Sequence, residues 1–348
     1  MSAELALEPR ASGVLADPRA RHVLRYAVGA TVAMGIAMGI AWPLAFLVPV
    51  LSLSFLASPE PPPTLRKGVM FVATIAVACV AGLWAIKYLI GIPALFFGGF
   101  ALLLLRVFYA ANSGAPPFLM LWLLIALLLL PMIAVISPEI AVLVVQSLTS
   151  GAALSVLVGW MAHGLIPDPR EAAVAAAKTA TPLAPARERL ATALLQVAVV
   201  FPVFVLFHLM EWAGALLVLI FVALFSLQPA VAANFKAGSA MILGNLIGGI
   251  AAIASYQLLM VVPEFPFLLL LCLLAGLFFG NRLLGGGKKA PLFGMAYSTM
   301  LLILGTTTSS DGDATSAVYT RIFQMTVAVT YVVLAFGFLN RIRAAGRR

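Results

Sequence analysis

The sequence predicts an all-α, polytopic membrane protein with about 12 transmembrane helices in two parallel six-helix repeats. Hydrophobic residues make up 63% of the 348 residues, charged residues only 9%, and the mean hydropathy is +1.11. A soluble domain carries about 25% charged residues, so a soluble protein is excluded. Two further observations support the layout: basic residues cluster in alternate loops, and the two halves share matching segments.

The N-terminal residues 1–21 are predicted to form a cytoplasmic tail. Arg19, Arg21 and Arg25 precede an apolar run, but no small-residue cleavage site follows, which argues against a signal peptide. Both cysteines, Cys79 and Cys272, fall within apolar runs, so neither a disulfide nor a metal site is expected.

Proline, glycine and charge clusters divide the chain into apolar segments of membrane-spanning length. In the first repeat, residues 22–163, the approximate predicted spans are 23–40, 42–57, 67–88, 92–111, 115–136 and 139–163. Residues 164–189 form a cytoplasmic linker that is too short to fold as a domain. The second repeat, residues 190–342, has spans 190–208, 211–229, 236–259, 264–283, 290–308 and 315–340, and residues 343–348 form a basic cytoplasmic tail.

The distribution of charged residues predicts which loops are cytoplasmic. Loops on the side of the N-terminus hold 19 of the 21 basic residues: Arg10, Arg19, Arg21, Arg25, Arg66, Lys67, Arg106, Arg170, Lys178, Arg187, Arg189, Lys236, Arg282, Lys288, Lys289, Arg341, Arg343, Arg347 and Arg348. The opposite loops hold the acidic residues Glu139, Glu211, Glu264, Asp311 and Asp313. Because basic residues accumulate in cytoplasmic loops, both termini are predicted to be cytoplasmic, and the net charge of +9 does not indicate nucleic-acid binding.

Matching segments suggest that the second half of the chain repeats the first. "SFLASPEPPPTLRKG" at 54–68 matches "FSLQPAVAANFKAG" at 225–238, and "APPFLMLW" at 115–122 matches "APLFGMAY" at 290–297. A third match pairs Gln146 with Gln324 and Gly159 with Gly337. With six spans each, the two copies enter the membrane in the same sense, and transporters of this kind place the substrate path between the halves.

The candidate substrate-binding residues lie on one face of the last span. Arg321, Gln324, Ala328 and Tyr331 follow the helical spacing i, i+3, i+7 and i+10. Guanidinium, amide and aromatic groups suit a carboxylate attached to a ring. A second interpretation stays open, in which Arg321 lies near the outer membrane boundary and extends toward Asp311 or Asp313.

The equivalent face of the sixth span carries Gln146, Thr149 and Ser150, which are polar but uncharged. They are predicted to line the same path, whereas hydrogen bonds that hold helices together would explain the two glutamines equally well. Weaker candidates for an anion or proton path are Lys87, Arg106, Arg282, Asn245, His208 and Glu211. Membrane anchoring explains Arg106 and Arg282 as well, and Gly35-x-x-x-Gly39 and Gly244-x-x-x-Gly248 are predicted helix-packing motifs.

An enzyme is not expected. "LLGGGKKA" at 283–290 lacks the glycine spacing and the Ser or Thr of a phosphate-binding loop, and no Ser/His/Asp grouping or cofactor motif is found. An ATP-driven pump would therefore need a separate subunit.

The two six-span halves, the proline after each second span (Pro59 and Pro229) and the Arg321-bearing final span resemble the fusaric acid resistance and aromatic acid exporter superfamily. The similarity is to a short branch, because only the linker stands where the better-known exporters carry a large cytoplasmic domain. The resemblance implies a bacterial inner-membrane efflux component for aromatic or other organic acids. It also implies use of the proton gradient and a periplasmic adaptor, a membrane fusion protein, as partner.

From the sequence, two alternatives stay open. One is a 12-helix secondary transporter of another family, although the Gly-x-x-x-Asp-Arg loop of the major facilitator type is missing after the second span. The other is a non-transporting membrane scaffold or envelope-assembly factor. The expected partners are the lipid bilayer and a small organic anion, with homo-oligomerisation left open.

Overall fold

The computed structural model describes residues 17–42, 44–58, 62–167, 184–210, 216–227, 235–287 and 289–308, and, within the last predicted span, residues 319, 323–324, 326–328 and 330–338. The described part of the chain contains α-helices and no strands, so the prediction of an all-α membrane protein is confirmed.

Eleven helices have defined bounds within these residues, and each overlaps one predicted span. They are α1 (Pro18–Gly39), α2 (Leu47–Leu56), α3 (Leu65–Leu89), α4 (Pro93–Asn112), α5 (Pro117–Ile136), α6 (Pro138–Leu165), α7 (Ala186–Leu209), α8 (Leu216–Ser226), α9 (Phe235–Val261), α10 (Phe265–Leu283) and α11 (Ala290–Thr308). In the last predicted span, residues 330–338 are helical.

Six described segments are long and apolar enough to cross a membrane: α3, α4, α6, α7, α10 and the Leu243–Val261 part of α9. Shorter apolar helices include α2 and Leu119–Val135 of α5. Length and composition therefore establish a multi-pass membrane protein. The count of twelve spans and the repeat remain predictions.

Local sequence explains where several helices begin. Asp17 and Ser137 precede α1 and α6 and accept hydrogen bonds from the backbone N–H groups of Arg19 and Ile140, respectively. A proline follows at the first helical position, where a missing N–H costs nothing. Such starts allow one helix to follow another after a connection of a few residues.

Helix α2 begins later than the sequence predicts. Residues 40–41 and 44–46 form turns, and Ala41 and Leu44 have φ angles of 49° and 60°, in the left-handed region. A proline disfavours helical backbone at the residue before it, which accounts for the non-helical backbone of Trp42 ahead of Pro43. As a result α2 has only ten residues, about 15 Å of helix.

Several helices of the first half of the chain pack against helices of the second half. Helix α1 packs on α10, and α4 packs on α7. In the predicted repeat, each helix of the first half corresponds to the helix six places later, so the α1–α10 pair corresponds to α7–α4. In the same way, α3–α5 corresponds to α9–α11, and α2–α11 corresponds to α8–α5. This pairing supports the predicted repeat, and it means that each half is held by the other.

The α1–α10 contact is made by small residues. A Cβ placed on Gly276 would lie 2.9 Å from both Cα and Cβ of Ala27, and one on Gly280 would lie 2.9 Å from Cδ1 of Tyr26. The Tyr297 hydroxyl donates to the Cys272 carbonyl (2.9 Å) and closes this contact from α11. Gly276-x-x-x-Gly280 is thus a close-packing motif that the sequence analysis missed.

The two predicted glycine motifs differ in their contacts. A Cβ on Gly248 in α9 would lie 2.9 Å from Cα and the carbonyl carbon of Ala296 in α11 and even closer to its oxygen. By contrast, nothing lies within 4 Å of a Cβ built on Gly39. The α9 motif therefore forms a helix contact, whereas Gly39 does not.

We predict that Gly248→Ala destabilises the protein by about 1–3 kcal/mol, because the new methyl group must push α11 away. Gly39→Ala is the matched control and should leave stability unchanged. Thermal unfolding of the purified proteins in detergent measures both. Equal midpoints for the two variants would contradict the close α9–α11 contact.

Candidate functional site

The last span turns its Gln324 face toward the interior. Gln324 is 8% exposed, and the buried side chains Ala328, Val332 and Phe336 continue the same face at intervals of four residues. Phe323, Val327, Leu334 and Phe338 are exposed on the other side. Arg321, the predicted anion contact, lies outside the described residues, so its role remains a prediction.

Tyr331 is fixed by its hydroxyl group. The half-buried side chain donates a 2.9 Å hydrogen bond to the Val199 carbonyl of α7. The last span is thereby attached to α7. The hydroxyl proton is used by this bond, so the ring and the acceptor side of the hydroxyl oxygen are the parts of Tyr331 that remain for a ligand.

The predicted counterparts on α6 face differently. Gln146 is exposed, and Thr149 and Ser150 are half-buried, with the Ser150 hydroxyl donating to the Gln146 carbonyl. The buried face of α6 instead contains Ser147, Gly151 and Ser155. Gln324 is buried, so the two predicted repeat partners differ in burial.

Two predicted path residues lie at exposed ends of helices. The Lys87 ammonium lies 5.7 Å from the centroid of the Tyr88 ring. The Arg282 guanidinium lies 5.1 Å from the Phe278 ring and 5.5 Å from the Phe293 ring. Both are cation–π contacts of the kind found near membrane boundaries.

Asn245 is buried between two helices. Its Oδ1 atom accepts a 2.5 Å hydrogen bond from the Thr299 hydroxyl, which links α9 to α11 beside the Gly244 contact. Such a bond stabilises helix packing. Asn245 thus has a structural partner in α11.

His208 lies at the end of the α4–α7 interface, among aromatic rings. Its ring centroid is 5.2 Å from that of Phe96 and 5.6 Å from those of Phe97 and Phe204. Phe204 also stacks on Phe100 at 3.6 Å. Glu211, the other predicted proton-relay residue, lies outside the described residues.

A buried hydrogen-bonded group further along α4–α7 was not predicted from the sequence. Gln196 of α7 is fully buried, accepts from the Asn112 amide of α4 (2.8 Å) and donates to the Ser226 carbonyl of α8 (2.7 Å). Three helices thus meet at one amide. The only sequence feature that could have indicated this group is a glutamine within an apolar span.

Arg25 was counted among the basic residues of the predicted cytoplasmic side, but its side chain is 0% exposed. His22, Arg25 and Gly29 share one face of α1. A Cβ on Gly29 would contact Leu56 and Ala162, and His22 Nε2 donates to the Leu56 carbonyl (2.9 Å). The face therefore points to the C-terminal ends of α2 and α6, whose partial negative charges favour a guanidinium.

We predict that Gln196→Met lowers the free energy of unfolding by about 1–2 kcal/mol, because the Asn112 amide and Ser226 carbonyl lose their partner. Gln257→Met is the control, since Gln257 is exposed on α9. Thermal unfolding in detergent compares the two variants. A Gln196→Met protein as stable as Gln257→Met would show that the group contributes nothing to stability.

Two family models match the chain. Residues 22–162 match a family described as "Protein of unknown function (DUF2955)", and residues 215–335 match "Fusaric acid resistance protein-like". No curated protein and no solved structure matched. The second match indicates a membrane protein of the transporter type. The resemblance predicted from the sequence is confirmed for residues 215–335, which match the fusaric acid resistance-like family model.

Proposed function

We propose that the protein is an inner-membrane exporter of small anionic compounds, chiefly aromatic acids. The observation that carries this proposal is the match of residues 215–335 to the fusaric acid resistance-like family. Fusaric acid is a pyridine carboxylate, that is, a small aromatic anion at neutral pH. Export would use the proton gradient, with both termini in the cytoplasm and a periplasmic adaptor completing the path outward.

The interior face of the last span supports an aromatic anion as substrate. Gln324 provides an amide in the protein interior, and Tyr331 provides a half-buried ring whose hydroxyl is held by α7. Arg321 lies three residues before Gln324, on the same helical face if the helix continues. The guanidinium, the amide and the aromatic ring then follow one another along the span, which suits a ligand that has a carboxylate attached to a ring.

Arg321→Ala should reduce export roughly 10–100-fold, because a charge-assisted hydrogen bond to the carboxylate is lost. Arg321→Lys keeps the charge without the planar fork and should retain part of the activity. Resistance of a deletion strain to fusaric acid and a panel of aromatic acids, complemented with each variant at equal membrane level, measures the effect. Full resistance with Arg321→Ala would contradict a role in anion binding. No acid sensitivity in the deletion strain would contradict export itself.

Tyr331 offers a separate test of ring stacking. Tyr331→Leu removes the ring and should raise the apparent KM for an aromatic acid by roughly 2–10-fold. Tyr331→Phe keeps the ring and loses only the bond to Val199, so it should lower thermal stability while leaving KM unchanged. Transport into inverted membrane vesicles gives KM. A raised KM in both variants would assign the hydroxyl, rather than the ring, to substrate.

A further inference from the structure

A groove lies between the C-terminal part of α4 and the first turn of α7. Its volume is 440 Å³, and its lining residues are Leu105, Arg106, Tyr109, Ala186, Arg187 and Leu190. Arg106 lies about 9 Å before the end of α4, whereas Arg187 is in the first turn of α7. The two arginines therefore approach one groove from two different helices.

The charges of this groove are not balanced within the described part of the chain. Arg106 and Arg187 are exposed, and no ion pair joins either of them to a described acidic residue. A third guanidinium, that of Arg189, lies 5.5 Å from the Tyr109 ring centroid, and its buried Nε–H has no hydrogen-bond acceptor there. Glu188 lies between these arginines in sequence, but it is exposed and lines no part of the groove. The groove thus presents positive charge that a ligand could neutralise.

The groove also has an apolar part. Leu105 and Leu190 line it from α4 and α7, and Tyr109 adds an aromatic wall. Anchoring at the membrane surface explains a single arginine that reaches the headgroups. It does not explain charges from two helices that share a cavity with leucine walls. That combination matches a lipid, which has an anionic phosphate at one end and acyl chains at the other.

We propose that this groove binds the phosphate group of an anionic phospholipid from the same leaflet. Arg106 and Arg187 hold the phosphate oxygens, since guanidinium groups bind them in a bidentate manner. Leu105 and Leu190 contact the start of an acyl chain. The site lies on the side predicted to be cytoplasmic, and its assignment does not depend on what the protein transports.

Native mass spectrometry of the purified protein with equal phosphatidylglycerol and phosphatidylcholine tests the proposal. Wild-type protein should retain phosphatidylglycerol preferentially, and Arg106→Gln/Arg187→Gln should bind it about tenfold more weakly. Arg106→Lys/Arg187→Lys keeps the charge and should retain part of the preference, which controls for misfolding. Arg66→Gln is the matched control, because Arg66 is an exposed arginine in the predicted basic loops that does not line the groove.

Three outcomes would overturn the proposal. The wild-type protein could show no preference for phosphatidylglycerol, or the double Gln variant could keep the preference of Arg66→Gln. Alternatively, inorganic phosphate or benzoate could displace phosphatidylglycerol at equal concentration. The last result would assign the groove to a soluble anion, as in a substrate entrance, rather than to a lipid.

Discussion

The close approach of α1 to α10 is the contact on which the arrangement of the two halves depends. Lipid provides no hydrophobic force between helices, so packing and hydrogen bonds must hold them together. Ala27 against Gly276 and Tyr26 against Gly280 allow the two backbones to approach, and the Tyr297 hydroxyl closes the contact. Since α1 comes early in the chain and α10 late, this contact requires both halves.

A second contact between the halves, α4 on α7, uses different chemistry. Phe100 stacks on Phe204, and further along the interface Gln196 binds Asn112. Small residues bring α1 close to α10, and the Arg19 guanidinium of α1 donates to Asn281 of α10. Aromatic stacking and a hydrogen bond between amides hold α4 on α7, and the basic groove opens beside this interface. The two helix pairs that correspond in the predicted repeat therefore differ in their side chains.

The membrane explains how much of the fold could be predicted. Every backbone polar group must be satisfied within a spanning segment, so apolar length, together with breaks at proline, glycine and charge clusters, located the helices to within a few residues. Interhelical hydrogen bonds leave no such pattern: Asn112 and Gln196 are 84 residues apart. Arg25 was grouped with Arg19 and Arg21 as a basic residue of the predicted cytoplasmic side, although its side chain is buried. Gln146 and Gln324 share one residue type, but sequence alone does not show that the first is exposed and the second buried.

Helix α7 connects the features that carry chemistry. Its first turn contributes Arg187 to the groove, Gln196 binds both α4 and α8, and the Val199 carbonyl holds Tyr331 of the last span. Arg187 and Val199 are twelve residues apart, which is about 18 Å along a helix. The groove, the Gln196 hydrogen bonds and the Tyr331 hydrogen bond thus all involve one helix.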